Sequence, residues 1–138
     1  MIYLAEDEPD IRESLTTLLT HEGFVVRAAL DGIQLFDWLF RQRGRSARLP
    51  DVIITDHRMP GYTSLDILDC LAELQWTIPV IVLTGFGPEI RDLAKAHGAT
   101  AVFDKPFDPD TLRDATMTCI NWDVRRLREP ARRNRATQ

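Results

Sequence analysis

Residues 52–61 read VIITDHRMPG. Val52 to Thr55 form a short unbroken apolar run, and Asp56 follows it directly. Continuity without polar alternation suits a strand covered on both faces, as in a parallel sheet. Runs of the same kind recur at Ile2 to Ala5, Phe24 to Ala29 and Val80 to Thr84, with a weaker one at Thr100 to Phe103. Each is predicted to be a strand, with 52–55 the third of five.

Helical periodicity fills the intervals. Ile11, Leu15, Leu18 and Leu19 lie on one stripe, Pro9 suits a first helical position, and Gly23 suits a C-terminal stop. Ile33, Phe36, Leu39 and Phe40 form a second stripe after Asp31-Gly32, and Leu65, Leu68, Leu71 and Leu74 a third after the cap candidates Thr63 and Ser64. Gly87-Pro88 opens a shorter fourth helix that closes near Gly98, with Ile90, Leu93 and Ala94 as its inner face. Asp108-Pro109 opens the fifth, whose stripe is Leu112, Ala115, Cys119 and Trp122. Five βα units predict one open α/β sheet with helices on both sides.

Composition narrows the class. A chain of 138 residues supplies one domain, and 44% hydrophobic with 28% charged residues is the balance of a globular protein. No apolar run approaches the roughly 18 residues of a membrane span, and MIYLAEDEPD has no signal-peptide pattern, which points to a cytoplasmic protein with no membrane partner. Cys70 and Cys119 lack metal-ligand spacing. The net charge of −4 is uneven: residues 121–138 hold six arginines against Asp123 and Glu129, which leaves an acidic body. An acidic body argues against direct nucleic-acid binding. The basic stretch 123–138 is compatible with a helix extension, a linker toward an output domain, or a nucleic-acid-touching arm.

In open α/β sheets ligands sit beyond the carboxyl ends of the strands. Those positions hold Glu6 and Asp7 after the first strand, Asp56 after the third, Thr84 at the end of the fourth and Lys105 after the fifth. Crowded carboxylates repel and raise one another's pKa unless a cation sits among them. A hard divalent ion such as Mg²⁺ is the natural resolution. With it in place, one carboxylate can act as nucleophile on a phosphoryl group, and Asp56, alone on its strand, is the candidate. Thr84 could then hydrogen-bond a phosphoryl oxygen and Lys105 pair with another. Lys105 is one of two lysines beside fifteen arginines, a bias that fits a required amine.

The segments LAEDEP, VIITDHRMPG, VIVLTGFG and DKPF, in this order, resemble the receiver domain of bacterial two-component response regulators. The resemblance covers residues 1–122. It implies a flavodoxin-like, doubly wound parallel sheet of order 2-1-3-4-5 with five helices, and a Mg²⁺ site formed by Glu6, Asp7 and Asp56 with the backbone carbonyl of Met59. It also implies phosphorylation of Asp56 by a sensor histidine kinase or phosphotransfer protein, sensing of the phosphoryl group by Thr84 and Lys105, and a cis Lys105–Pro106 peptide. Such a domain catalyses its own phosphoryl transfer and slow dephosphorylation, yet acts as a signalling protein. Three positions depart from the family pattern: Val102 stands where an aromatic ring is usual, Ser64 where glycine is frequent, and Glu6, a common variation of the same charge, in place of a first aspartate. The first shifts the expected output coupling onto the Thr84 loop, with Phe86 or Phe103 repacking.

Rival readings are weaker. A pseudo-receiver acting as a binding module need not retain Glu6, Asp7, Asp56, Thr84 and Lys105 together. A dehalogenase-type phosphatase needs a second acid two residues past its nucleophile, where this chain has Arg58. A P-loop enzyme needs GxxxxGK[ST], which is missing. Asp31, Asp51, Asp104 and Asp108 are expected to serve caps and turns, and His57 to point to solvent.

Overall fold

The structure, a computed structural model, describes residues 1–43, 49–85 and 87–127, with side chains through Ile120. Five strands and five helices alternate along the chain: β1 Ile2–Ala5, α1 Pro9–His21, β2 Val26–Ala29, α2 Gly32–Arg41, β3 Val52–Asp56, α3 Ser64–Glu73, β4 Val80–Thr84, α4 Pro88–Ala96, β5 Ala101–Asp104 and α5 Pro109–Leu127. The strands form one parallel sheet in the order β2-β1-β3-β4-β5, the order that the family resemblance implies. Trp122, the stretch 123–138 and Phe86 lie outside the described side chains, although the backbone of α5 runs on to Leu127.

Strand continuity reflects burial on both faces. Every residue of β1, β3 and β4 is buried, so no position needed a polar side chain to face water. One apolar layer gathers Tyr3, Ile53, Val80 and Val82 from the strands with Leu35, Leu39, Ile67, Leu71 and Ala94 from α2, α3 and α4. The other gathers Ile2, Leu4, Ile54, Ile81 and Leu83 with Leu15 and Leu19 of α1 and Leu112 and Cys119 of α5. Each fully buried Leu or Ile contributes roughly 1.5–3 kcal/mol relative to exposure.

Local signals set most boundaries. Pro9 opens α1, and Gly23 follows its end with φ 95°. Phe24, expected in β2, instead donates its amide to the Leu19 carbonyl and closes the end of α1, so β2 starts two residues later. Thr63 caps α3 in a reciprocal box with Asp66. Two helical faces differ from expectation. In α2 the buried side chains are Leu35 and Leu39, whereas Ile33 and Phe40 are exposed. In α4 Ala94 is buried, but Leu93, about 100° round the helix, faces out.

The loop from β3 to α3 is held against the start of α2. A Cβ on Gly32 would collide with the Tyr62 carbonyl, and one on Gly61, at φ 92°, would collide with Ile33. The Phe36 and Tyr62 rings stack at 4.4 Å across the same contact. This packing fixes the approach of the chain to the sheet edge where the polar residues collect.

Candidate functional site

Register carries the polar residues to one edge. β1 pairs with β3 so that Ala5 lies beside Thr55, which brings Glu6 and Asp56 out of the sheet side by side. β4 pairs with β5 so that Thr84 lies beside Asp104, and the Lys105 amide donates to the Thr84 carbonyl at 2.7 Å. The Lys105 ammonium donates to both Glu6 carboxylate oxygens at 3.3 Å and to Asp56 Oδ2 at 3.1 Å. Glu6, Asp7 and Asp56 each offer a carboxylate oxygen within 4.8 Å of the others. Glu6, Asp56 and Thr84 are buried, and Asp7 is exposed. Met59 is buried in the loop beyond Asp56, and the Lys105–Pro106 peptide is cis.

Neighbouring groups fix the first loop. Arg12 of α1 donates through Nη1 to the carbonyls of Glu6 at 2.9 Å and Asp7 at 3.4 Å. The Glu8 amide reaches Glu6 Oε1 at 3.4 Å. These contacts hold two successive acidic residues at the mouth of the sheet.

Burial and crowding decide the electrostatics. Loss of solvent, then the Asp56 charge, pushes Glu6 up to about 7 against the pull of Lys105. Burial also raises Asp56, with Lys105 opposing and Asp7 adding to the rise. Burial works against the Lys105 ammonium, but Asp56 and Glu6 outweigh it and hold its pKa above the ordinary value. One lysine among three carboxylates leaves negative charge uncompensated. The donor set is all hard oxygen, which fits a divalent cation of the Mg²⁺ class.

Sequence comparison decides the family. A family model described as the response regulator receiver domain matches residues 2–117, most of the chain. This chain is a response regulator receiver domain. Sporulation initiation phosphotransferase F of Bacillus subtilis is 31% identical to it over 115 residues, covering 83% of this chain and 88% of that protein. The C4-dicarboxylate transport transcriptional regulatory protein DctD of Pseudomonas aeruginosa is 32% identical over 132 residues, covering 91% of this chain but only 26% of the relative. The receiver domain therefore corresponds to about a quarter of that longer protein. A crystal structure of a response regulator receiver domain protein from Clostridium thermocellum superposes with a TM-score of 0.77 at 28% identity, covering 89% of this chain and 95% of the other. The doubly wound fold with strand order 2-1-3-4-5 is thus that of its relatives.

Among the residues singled out from sequence, the receiver brings Glu6, Asp7, Asp56 and Lys105 into one cluster and sets buried Thr84 beside them at the end of β4. Asp31 and Asp108 cap α2 and α5 as expected, with Asp31 accepting from the Gln34 amide and Asp108 from the Asp110 amide. Asp104 does otherwise: it pairs with Arg91 of α4 and ties that helix to the residue before Lys105. His57 is corrected as well. It is buried, and its Nδ1 lies 2.7 Å from the hydroxyl of buried Ser64. Among the described residues no helix is long and apolar enough to cross a membrane.

Proposed function

We propose that this receiver accepts a phosphoryl group on Asp56 from a sensor histidine kinase or a phosphotransfer protein and thereby changes a protein-binding surface or a linked output domain. The supporting observation is the Lys105 ammonium within hydrogen-bond reach of both Glu6 and Asp56, beside a three-carboxylate cluster. Glu6, Asp7, Asp56 and the Met59 carbonyl would hold Mg²⁺, which when bound neutralises carboxylate and phosphoryl oxygens.

The protein's own groups divide the remaining work. An Asp56 carboxylate oxygen forms the new O–P bond as the N–P bond of a phosphohistidine breaks, and the imidazole leaves. Lys105, kept protonated by its two acidic neighbours, is positioned to pair with a phosphoryl oxygen. Thr84, at the end of β4, supplies a hydroxyl for another. Half-buried Val102 packs in the layer beneath α2, α3 and α4, so the response of the Thr84 loop travels through backbone shifts and repacking of Phe103, which lies in the opposite layer.

In this reading residues 1–122 are the receiver and 123–138 a basic tail or linker. The longer relative DctD, named a transcriptional regulatory protein, supports an output domain as one destination of the signal. The same kinship supports partnership with kinases and a cytoplasmic setting. The pseudo-receiver alternative is not favoured, because Glu6, Asp7, Asp56, Thr84 and Lys105 are all retained. Incubation with a phosphohistidine donor or acetyl phosphate and Mg²⁺ should label the parent and leave Asp56→Asn unlabelled. Equal labelling of that variant would refute the assignment.

A further inference from the structure

His57 and Ser64 bracket the loop that carries Met59. The His57 amide donates to the Leu83 carbonyl at 2.7 Å, which extends the β3–β4 ladder one residue past Asp56. The His57 carbonyl accepts from the Ser64 amide at 3.1 Å. A second tie joins the same residues through their side chains, with His57 Nδ1 and Ser64 Oγ 2.7 Å apart. Both side chains are buried.

The Ser64 hydroxyl is not needed to start α3. Thr63 already caps that helix: its Oγ1 accepts from the Asp66 amide at 3.4 Å, and its own amide donates to Asp66 Oδ2 at 2.9 Å. A polar pair in a buried place is costly unless satisfied, and when satisfied it specifies one arrangement where an apolar pair would tolerate several. The arrangement specified here is the closed end of the loop 58–63. The outer side of that loop is already fixed by the contact of Gly61 and Tyr62 with α2.

We propose that His57 and Ser64 are a positioning pair that holds the loop 58–63 closed and thereby sets the backbone carbonyl of Met59 relative to Asp56. The inference rests on the reading of Asp56 as phosphoacceptor with Met59 as a carbonyl ligand.

The test compares His57→Leu, Ser64→Ala, His57→Asn and the double variant His57→Leu/Ser64→Ala by three readouts: Mg²⁺ calorimetry, amide exchange of residues 58–63, and acetyl phosphate labelling at subsaturating Mg²⁺. Loss of one hydrogen bond should weaken Mg²⁺ binding and slow labelling by about two- to tenfold in each single variant lacking the pair, with faster exchange in the loop. His57→Asn, whose amide places a polar atom near the Nδ1 position, should stay within about twofold of the parent. The double variant should melt near the parent, since removing both partners leaves no orphaned polar group, yet its metal affinity and loop exchange should stay impaired. Should a single variant fail to fold, the double variant carries the comparison.

Restoration of metal affinity and loop exchange in the double variant would reduce the pair to packing and overturn the proposal. So would parent-like behaviour of Ser64→Ala, or His57→Asn failing as His57→Leu does. If the parent itself neither binds Mg²⁺ nor is labelled, the phosphoacceptor reading fails. Amide exchange of the Asn and Leu variants then decides the loop closure independently.

Discussion

Along β1 and β3 the chain changes character within one or two residues without changing its burial. Ile2, Tyr3, Leu4 and Ala5 are almost wholly inaccessible, and so is Glu6; Ile53 and Ile54 are fully buried, and Asp56 nearly so. In the strand bodies burial removes apolar surface from water and stabilises the fold. At the strand ends the same burial desolvates carboxylates that crowd one another, which opposes folding until a cation or a proton intervenes. One sheet thus separates the residues that stabilise the domain from the carboxylates whose burial opposes folding.

The largest effect belongs to the strand bodies. Ile54→Ala, in the layer shared with α1 and α5, should cost about 2–5 kcal/mol in urea unfolding, with phosphoryl labelling intact in the folded fraction. A cost no greater than that of an exposed substitution would mean that this layer is not packed as described.

At the strand ends the sign reverses and depends on pH. Glu6 has a folded pKa raised to about 7 from 4.5, so its contribution to stability is fully present below about 4.5 and is lost as pH rises through about 7. Asp56 is raised as well and acts in the same direction. Metal-free protein should therefore lose stability across this window. Mg²⁺, which requires deprotonated carboxylates, should raise the melting temperature more at pH 8 than at pH 5. At a hundredfold excess over its dissociation constant the stabilisation should approach about 2.7 kcal/mol. Melting curves at both pH values, with and without metal, check this; an equal or larger metal effect at pH 5 would contradict it. The smallest effect is expected at a helix start: Thr63→Ala removes the α3 cap and should cost about 1 kcal/mol in the same unfolding assay.

Legibility in the sequence follows the same division. β1, β3 and β4 were readable because strands buried on both faces need no polar alternation, and the polar residue ending each run then stood out. Glu6, Asp7, Asp56 and Lys105 could be grouped from topology alone, because parallel strands deliver their carboxyl ends to one edge. The face of α2 was not readable. Ile33, Leu35, Phe36, Trp38, Leu39 and Phe40 are apolar round most of the helix, so periodicity cannot choose among them. The choice is made by the distant contact of Gly32 and Ile33 with Gly61 and Tyr62.

His57 and Ser64 were hidden for a related reason. A histidine followed by a loop reads as exposed, and only the return of that loop to the sheet buries it against the serine. The Arg91–Asp104 pair likewise joins α4 to β5 across a loop that gives no local sign of the contact. In each case the missing information is a tertiary contact between loop ends or helix faces, whereas the polar edge that gathers Glu6, Asp7, Asp56 and Lys105 is a consequence of strand direction.

The central claim is that the buried carboxylate ending β3 is a phosphoryl acceptor. Its most direct test is peptide mapping by mass spectrometry after incubation with acetyl phosphate, in Mg²⁺ and in a chelator. One phosphoryl group per chain, on the peptide containing Asp56 and only in the presence of Mg²⁺, is the predicted result. A phosphoryl group on another residue, or labelling of Asp56 that is undiminished by the chelator, would contradict the account.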